Sequence, residues 1–142
     1  PSEIQAAFLL AQLEGMSENL RIRKKVWSMY DESISRFEEA GRIRILRPIE
    51  GVEHNAHMFA IILRSASDAD RVRLALNEEG IRAVIHYVPL HSSKMGSTFP
   101  NRSPLPVTTS LASRIVRLPL WIGVESQQDY IVKSIFDFFL LV

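Results

Sequence analysis

The sequence predicts an α+β domain in which a long N-terminal helix precedes a small, mostly antiparallel sheet covered by helices. Apolar residues recur every three or four positions over the first 40 residues, short apolar runs of strand character follow, and two later segments regain helical spacing. The 142 residues suffice for one hydrophobic core and are too few for two ordinary domains. We therefore divide the chain into a linking helix region over 1–40 and a small α+β domain over 41–142.

The first helix is predicted to begin after Ser2, a favourable N-cap, and to end at Gly41. Gly15 interrupts it, so we expect a kink or two abutting helices there. About 35 helical residues would extend about 50 Å, which is longer than a domain of this size is wide. The helix is therefore expected to reach into another structure. Its apolar stripe consists of Leu9, Leu13, Met16, Leu20, Trp27, Tyr30, Ile34 and Phe37.

Four short strands are predicted after this helix. Residues 42–47 alternate between isoleucine and polar residues, whereas 57–64 form a continuous apolar run that is typical of a buried strand. Residues 81–87 and 116–118 also have strand character. These segments predict one small sheet.

Helices are predicted between and after these strands. Ser67 and Asp70 have the spacing of a capping pair, and Gly80 is a helix stop signal. The residues of this helix that are expected to face the core are Val72, Leu74 and Leu76. The remaining predicted elements are a long loop over 89–106, a short helix over 108–114, and a final helix capped by Ser126 and Asp129.

The composition excludes several classes of function. Lysine and arginine number 17 against 16 acidic residues, so a net charge of +1 gives no general attraction to nucleic acid or to an anionic membrane. The absence of cysteine removes thiolate metal sites and cysteine nucleophiles. No apolar run reaches the roughly 20 residues of a membrane span. We expect no nucleic-acid or membrane partner and a cytoplasmic location. Because the chain lacks an initiator methionine, we interpret it as a fragment of a longer protein.

The four histidines lie close together in the sequence, and their spacing resembles that of metal ligands. However, residues 80–124 contain no acidic side chain, and neighbours on a strand point to opposite faces. We therefore predict no metal site and keep local hydrogen bonding as the alternative role. The histidines are His54, His57, His86 and His91.

The acid-free segment is locally basic in a neutral chain. Guanidinium and ammonium groups suit phosphate or diphosphate, so this pattern favours an anionic small ligand, with solvated surface charge as the open alternative. Tyr87, beside His86 at the end of a predicted strand, adds a hydrogen-bonding ring. The basic residues are Arg82, Lys94, Arg102, Arg114 and Arg117.

Several segments, taken in order, resemble one family over nearly the whole chain. They are 2–13 (SEIQAAFLLAQL), 21–30, 55–64 (NAHMFAIILR), 80–91 (GIRAVIHYVPLH) and 114–120 (RIVRLPL). These segments resemble the C-terminal part of the DegT/DnrJ/EryC1/StrS sugar aminotransferases. The resemblance implies the small domain of an aspartate-aminotransferase-like, fold type I enzyme that uses pyridoxal 5'-phosphate and works as a homodimer. It also implies amino transfer from glutamate to a 4-keto-6-deoxy sugar nucleotide, preferably dTDP-linked, for surface polysaccharides such as lipopolysaccharide and enterobacterial common antigen.

The resemblance also implies which residues form the site. No lysine of this chain stands in the context of the family's cofactor lysine, so that lysine is expected upstream and the chain alone is expected to be inactive. The contacts of loop 92–106 are not assigned. The implied substrate-binding residues are His86, Tyr87, His91, Asn55 and His57. Two alternatives from the residues themselves stay open: a regulatory module that binds a small molecule, and a structural dimerisation domain.

Overall fold

The computed structural model describes residues 2–99 and 104–140. These residues form five α-helices, α1 (Glu3–Glu14), α2 (Met16–Glu39), α3 (Ala66–Glu78), α4 (Pro106–Arg114) and α5 (Gln128–Leu140). The described part of the chain also contains three strands, β1 (Ile43–Ile45), β2 (Phe59–Leu63) and β3 (Ile115–Leu118). Short 3-10 helices occupy Leu90–Ser92, Gly96–Thr98 and Val124–Gln127. This order of elements confirms the predicted α+β class.

The strands form an antiparallel sheet in the order β1-β2-β3. Ile61 of β2 lies opposite Ile45 and Val116, and these three side chains belong to the main core. Residues alternate between the two faces of a strand, so the neighbouring Ile62 belongs to the other face, opposite Ile115. We call the face of Ile61 the core face and the face of Ile62 the second face. All five residues of β2 are buried, so both faces of the sheet are covered.

The predicted first helix is two helices that abut at Gly15. Ser2 caps α1 as predicted, in a capping box with Gln5. The predicted stripe is only half correct, because its second part is buried against the sheet whereas α1 has no buried residue. Leu9 and Leu13 are each more than half exposed, since no strand of the described chain lies beneath them. The buried residues of α2 are Val26, Trp27, Tyr30, Ile34 and Phe37.

The N-terminus of α3 lies two residues before its predicted position. Ser65, rather than Ser67, accepts a hydrogen bond from the backbone N–H of Asp68. The buried residues follow steps of three and four, which leaves Leu74 on the solvent side with 62% of its surface exposed. The predicted inward position of Leu74 is therefore wrong. The buried residues of α3 are Ala69, Val72 and Leu76.

Two further segments differ from their predictions. Residues 81–87 do not form a strand of the sheet, and their backbone pairs with it in an isolated bridge between Val84 and Arg117. Ser126 does not cap α5, because its hydroxyl donates to the carbonyl oxygen of Gly123 within a 3-10 turn. Both segments make backbone hydrogen bonds, but these bonds belong to turns or join single residues and do not form a strand ladder.

Two buried side-chain hydrogen bonds join distant elements. The Tyr30 hydroxyl donates to the carbonyl oxygen of Pro119 over 3.0 Å, and burial raises the pKa of this phenol above its ordinary value. The Gln128 amide donates to the carbonyl oxygen of Val26 over 2.6 Å. Because a buried polar group without a partner is costly, these bonds fix how α2 meets α5 and the end of β3.

An ion-pair network holds the end of β1 against α2. Arg47 contacts Asp31 at 2.9 Å and Glu38 at 2.5 Å, and Glu38 also accepts from the Ile45 backbone. Burial raises the pKa of Glu38, but the hydrogen bonds from Arg47 and from the Ile45 amide outweigh it and hold the pKa below the ordinary 4.5. The folded state therefore favours the ionised carboxylate.

We expect Glu38→Gln to flatten the acid limb of the stability profile. A carboxyl group whose pKa is lower in the folded state stabilises the protein above its unfolded pKa, and that contribution is lost as pH falls through the folded value. The free energy of unfolding of the native protein should thus fall more steeply than that of the variant between about pH 5 and about pH 3. Urea denaturation at a series of pH values measures both slopes, with the exposed neighbour Glu39→Gln as the control. Parallel profiles for all three proteins would contradict this assignment.

Candidate functional site

A groove of about 640 Å³ lies on the second face of the sheet, between α4 and the segment 86–90. Its volume and mainly apolar walls match those of small-molecule sites, in which few polar groups orient the ligand. The polar side chains at its walls are His86, Tyr87 and Thr108. The apolar walls include Leu46, Ile62, Val88, Leu111 and Ile115.

His86 and Tyr87 form a parallel aromatic stack at the edge of the groove. Their ring centroids are 4.5 Å apart, with 5° between the ring planes, and the peptide bond between them is cis. The Tyr87 side chain remains exposed, with 73% of the residue surface accessible. His86 is only partly exposed, and its Nδ1 contacts Nη1 of Arg117. The pair therefore presents one anchored ring and one open ring.

The backbone of β3 positions this pair. Val84 and Arg117 exchange two backbone hydrogen bonds, of 3.2 and 2.9 Å, which hold the segment before His86 beside β3. Since side chains alternate along β3, burial of Val116 and Leu118 on the core face places Arg117 on the second face.

His91 connects the far end of the groove to α4. Its Nε2 lies 3.1 Å from Oγ1 of Thr109, whose hydroxyl donates to the carbonyl oxygen of Leu105 over 3.0 Å. Because that hydroxyl has a single proton, its oxygen accepts and His91 Nε2 donates. His91 thus joins the turn Leu90–Ser92 to the helix that forms one wall of the groove.

Asn55 and His57 lie at a neighbouring cavity of about 290 Å³, which shares Leu46 with the groove. The Asn55 side chain accepts a hydrogen bond from the His57 backbone over 3.0 Å, and Arg23 donates to the His57 carbonyl over 3.2 Å. His54, also at this cavity, packs edge-on against the Trp27 ring at 4.9 Å. Four of the five predicted site residues therefore lie at two adjacent openings, His86 and Tyr87 at the groove and Asn55 and His57 at the cavity. His91 lines neither opening, although it follows the groove residue Leu90.

The structure separates the basic residues that the sequence grouped together. Among the residues that the structure describes, no lysine or arginine lines the groove. Arg82 and Lys94 are exposed, and Arg114 donates to the carbonyls of Ser110 and Arg64. Arg102 lies outside the described residues. These basic side chains therefore do not converge on the groove, and their predicted role toward an anionic ligand stays a prediction.

The groove walls contain residues that sequence analysis did not select. Thr108 and Leu111 lie on α4, and Ile115 belongs to β3. Strand alternation was the available signal, because assigning Val116 and Leu118 to the core predicts that Ile115 faces the opposite side. The approach of α4 to that side had no comparable local signal.

The lining of the groove does not fit pyridoxal 5'-phosphate by itself. A site for this cofactor requires a lysine for the aldehyde and a charged partner for the ring nitrogen, and neither a lysine nor a carboxylate lines the groove. Within the described ranges, no cluster of three or more histidine, aspartate or glutamate side chains is placed to bind a metal ion. None of the described helices combines the length and hydrophobicity that a membrane span requires.

The chain belongs to the DegT/DnrJ/EryC1/StrS aminotransferase family, whose sequence profile matches residues 2–136. It is 27% identical over 117 residues to the UDP-2-acetamido-2-deoxy-3-oxo-D-glucuronate aminotransferase of Pseudomonas aeruginosa. This alignment covers 82% of this chain and 30% of that protein. The chain is also 24% identical over 139 residues to the GDP-perosamine synthase of Escherichia coli O157:H7, in an alignment that covers 97% of this chain and 36% of that protein. The chain spans about a third of the length of these curated relatives.

Solved structures show the same fold. An aminotransferase of this family from Brucella abortus, 29% identical, superposes with a TM-score of 0.79 over 95% of this chain and 35% of its own. The Helicobacter pylori aminotransferase PseC, 21% identical, superposes with a TM-score of 0.86 over 99% of this chain and 38% of its own. The fold is therefore that of one part of a fold type I aminotransferase.

Proposed function

We propose that this chain is the C-terminal domain of a pyridoxal-phosphate-dependent aminotransferase that transfers an amino group from glutamate to a keto sugar nucleotide. Family membership supports this proposal, as do relatives named for aminotransfer to UDP-linked 3-oxo and 3-dehydro sugars. Within that class we propose a dTDP-linked 4-keto-6-deoxy sugar, because the runs NAHMF, HYVPLH and RLPL resemble those of transaminases that act on such a sugar. The enzyme would act in the cytoplasm, in surface polysaccharide synthesis.

The observation that carries the proposal is the groove on the second face, with the His86–Tyr87 stack at its edge. The groove walls are mainly apolar, and the exposed Tyr87 ring offers a face on which a sugar or a base can stack. The His86 ring and the Tyr87 hydroxyl supply hydrogen bonds to sugar or diphosphate oxygens. His91, Asn55 and His57 are proposed as further contacts around this opening.

In this proposal the cofactor is held mainly by residues outside this chain. Pyridoxal phosphate, when bound, supplies the electron sink for amino transfer, whereas this chain binds and orients the sugar nucleotide. A structure of the related enzyme NtdA from Bacillus subtilis is described with bound pyridoxamine phosphate. We further propose a homodimer, which would cover the exposed apolar residues of α1, among them Ile4, Phe8 and Leu13.

Borohydride trapping tests the enzyme class. The full-length protein, purified with pyridoxal phosphate and reduced with borohydride, should carry the cofactor on a lysine outside residues 1–142. Peptide mapping locates that lysine. Absence of bound cofactor would refute the proposal and favour the regulatory module that binds a small molecule. Trapping on Lys24, Lys25, Lys94 or Lys133 would instead refute the division of roles proposed here.

We expect Tyr87→Ala to weaken the binding of dTDP to the full-length protein by about three- to tenfold, because the substitution removes the ring on which the base or sugar is proposed to stack. Isothermal titration with dTDP, UDP and GDP measures the affinities, and dTDP should bind most tightly to the native protein. Tyr130→Ala is the matched control, since Tyr130 is exposed on α5 and does not line the groove. Equal affinities of the native protein and Tyr87→Ala would remove Tyr87 from the site.

A further inference from the structure

Arg117 lies beside His86 without lining the groove. Its Nη1 contacts Nδ1 of His86, while its Nε is buried and has no hydrogen-bond partner among the described residues. The backbone of Arg117 is fixed by its bonds to Val84 and by its place opposite Ala60 in the sheet. The sheet therefore holds the backbone of Arg117 in place, and the guanidinium group approaches one edge of the imidazole ring of His86.

The direction of this hydrogen bond determines the tautomer of His86. A guanidinium group only donates, so Nδ1 of His86 must accept and carries no proton. In a neutral imidazole the proton then lies on Nε2, at the edge of the ring that faces away from Arg117. Tyr87 stacks parallel on one face of the same ring and so does not cover the Nε2 edge.

We propose that Arg117 is a positioning residue that fixes His86 as the Nε2–H tautomer, so that His86 donates to an oxygen atom of the bound sugar nucleotide. This inference rests on the proposed function of the groove. It determines the kind of ligand group that meets His86: a carbonyl, hydroxyl or phosphate oxygen accepts such a bond, whereas an ammonium group has no lone pair with which to accept it. Arg117 thus acts through His86 rather than on the ligand.

Nitrogen-15 NMR of histidine-labelled protein tests the tautomer directly. In the native protein at about pH 8, the His86 ring should show a protonated Nε2 and an unprotonated Nδ1. Arg117→Met should convert this signal to a mixture of tautomers, and Arg117→Lys, which keeps a donor, should restore it in part. Arg82→Met is the matched control, because Arg82 is exposed and lies outside the groove. A native His86 protonated on Nδ1 would overturn the proposal.

Kinetics then separate a positioning role from a structural one. Arg117→Met should raise the KM for the sugar nucleotide by about five- to tenfold, with a much smaller change in kcat. In a His86→Gln background, where the amide keeps a donor near the position of Nε2 and has no tautomer to select, Arg117→Met should have less than about a twofold effect. Equal effects of Arg117→Met in both backgrounds would overturn the positioning role. The NMR result does not depend on the cofactor, so failure of the borohydride experiment would refute the proposed function separately.

Discussion

Phe59→Ala is expected to lower the free energy of unfolding by about 3–5 kcal/mol, the range for loss of a fully buried phenylalanine. Phe59 is completely buried in the central strand β2. Its ring centroid lies 5.3 Å from that of Trp27 and 5.2 Å from that of Tyr30, so it joins the sheet to α2. Truncation removes these ring contacts and leaves a cavity that the strand, paired on both sides, cannot fill by moving.

Urea denaturation followed by circular dichroism measures this loss. Met58→Ala is the matched control, because Met58 immediately precedes β2 and is 42% exposed. We expect it to cost less than about 1 kcal/mol. Phe59→Leu should fall between the two, since it keeps part of the apolar volume. A loss for Phe59→Ala no larger than that for Met58→Ala would show that the core is not organised around this ring.

His86→Ala should reduce kcat/KM for the sugar nucleotide by about 30- to 100-fold, the largest functional effect that we expect from this chain. The substitution removes the Nε2–H donor and the ring on which Tyr87 stacks. It also deprives the guanidinium of Arg117 of its side-chain contact. Because these losses concern substrate binding, most of the change should appear in KM.

Steady-state kinetics of the full-length enzyme, with glutamate as amino donor, measure this effect. Arg82→Ala, four residues earlier in the same segment and exposed, is the control and should retain native kcat/KM. Thermal denaturation identifies a variant that merely unfolds. Native kinetics for folded His86→Ala would exclude His86 from the substrate site.

The local elements of the fold could be predicted from the sequence. The Ser2 cap, the helix break at Gly15 and the buried stripe of α2 all depend on residues within one or two helical turns of each other. The buried strand β2 was likewise evident from its continuous apolar run. Local conformational preference and hydrophobic periodicity act over such distances, so these predictions were confirmed.

The candidate site could be predicted only in part. His86 and Tyr87 were selected from the sequence, and the structure places both at one groove. Their assignment to substrate binding stays a prediction. The grouping of Arg82 with Arg114 and Arg117 as phosphate ligands was based on nearness in sequence, and the structure directs these three side chains to different surroundings.

The sequence by itself determined the fold class, the family and the order of all elements except the strand predicted over 81–87, because these depend on local patterns and on short motifs. Only the tertiary structure decided that α4 covers the second face, that the backbone of residues 81–87 pairs with the sheet in an isolated bridge, and that Arg117 meets His86. Residues 86 and 117 are 31 positions apart, and no local preference encodes such a contact. It arises because antiparallel pairing and side-chain alternation place Arg117 on the second face, beside the segment that carries His86.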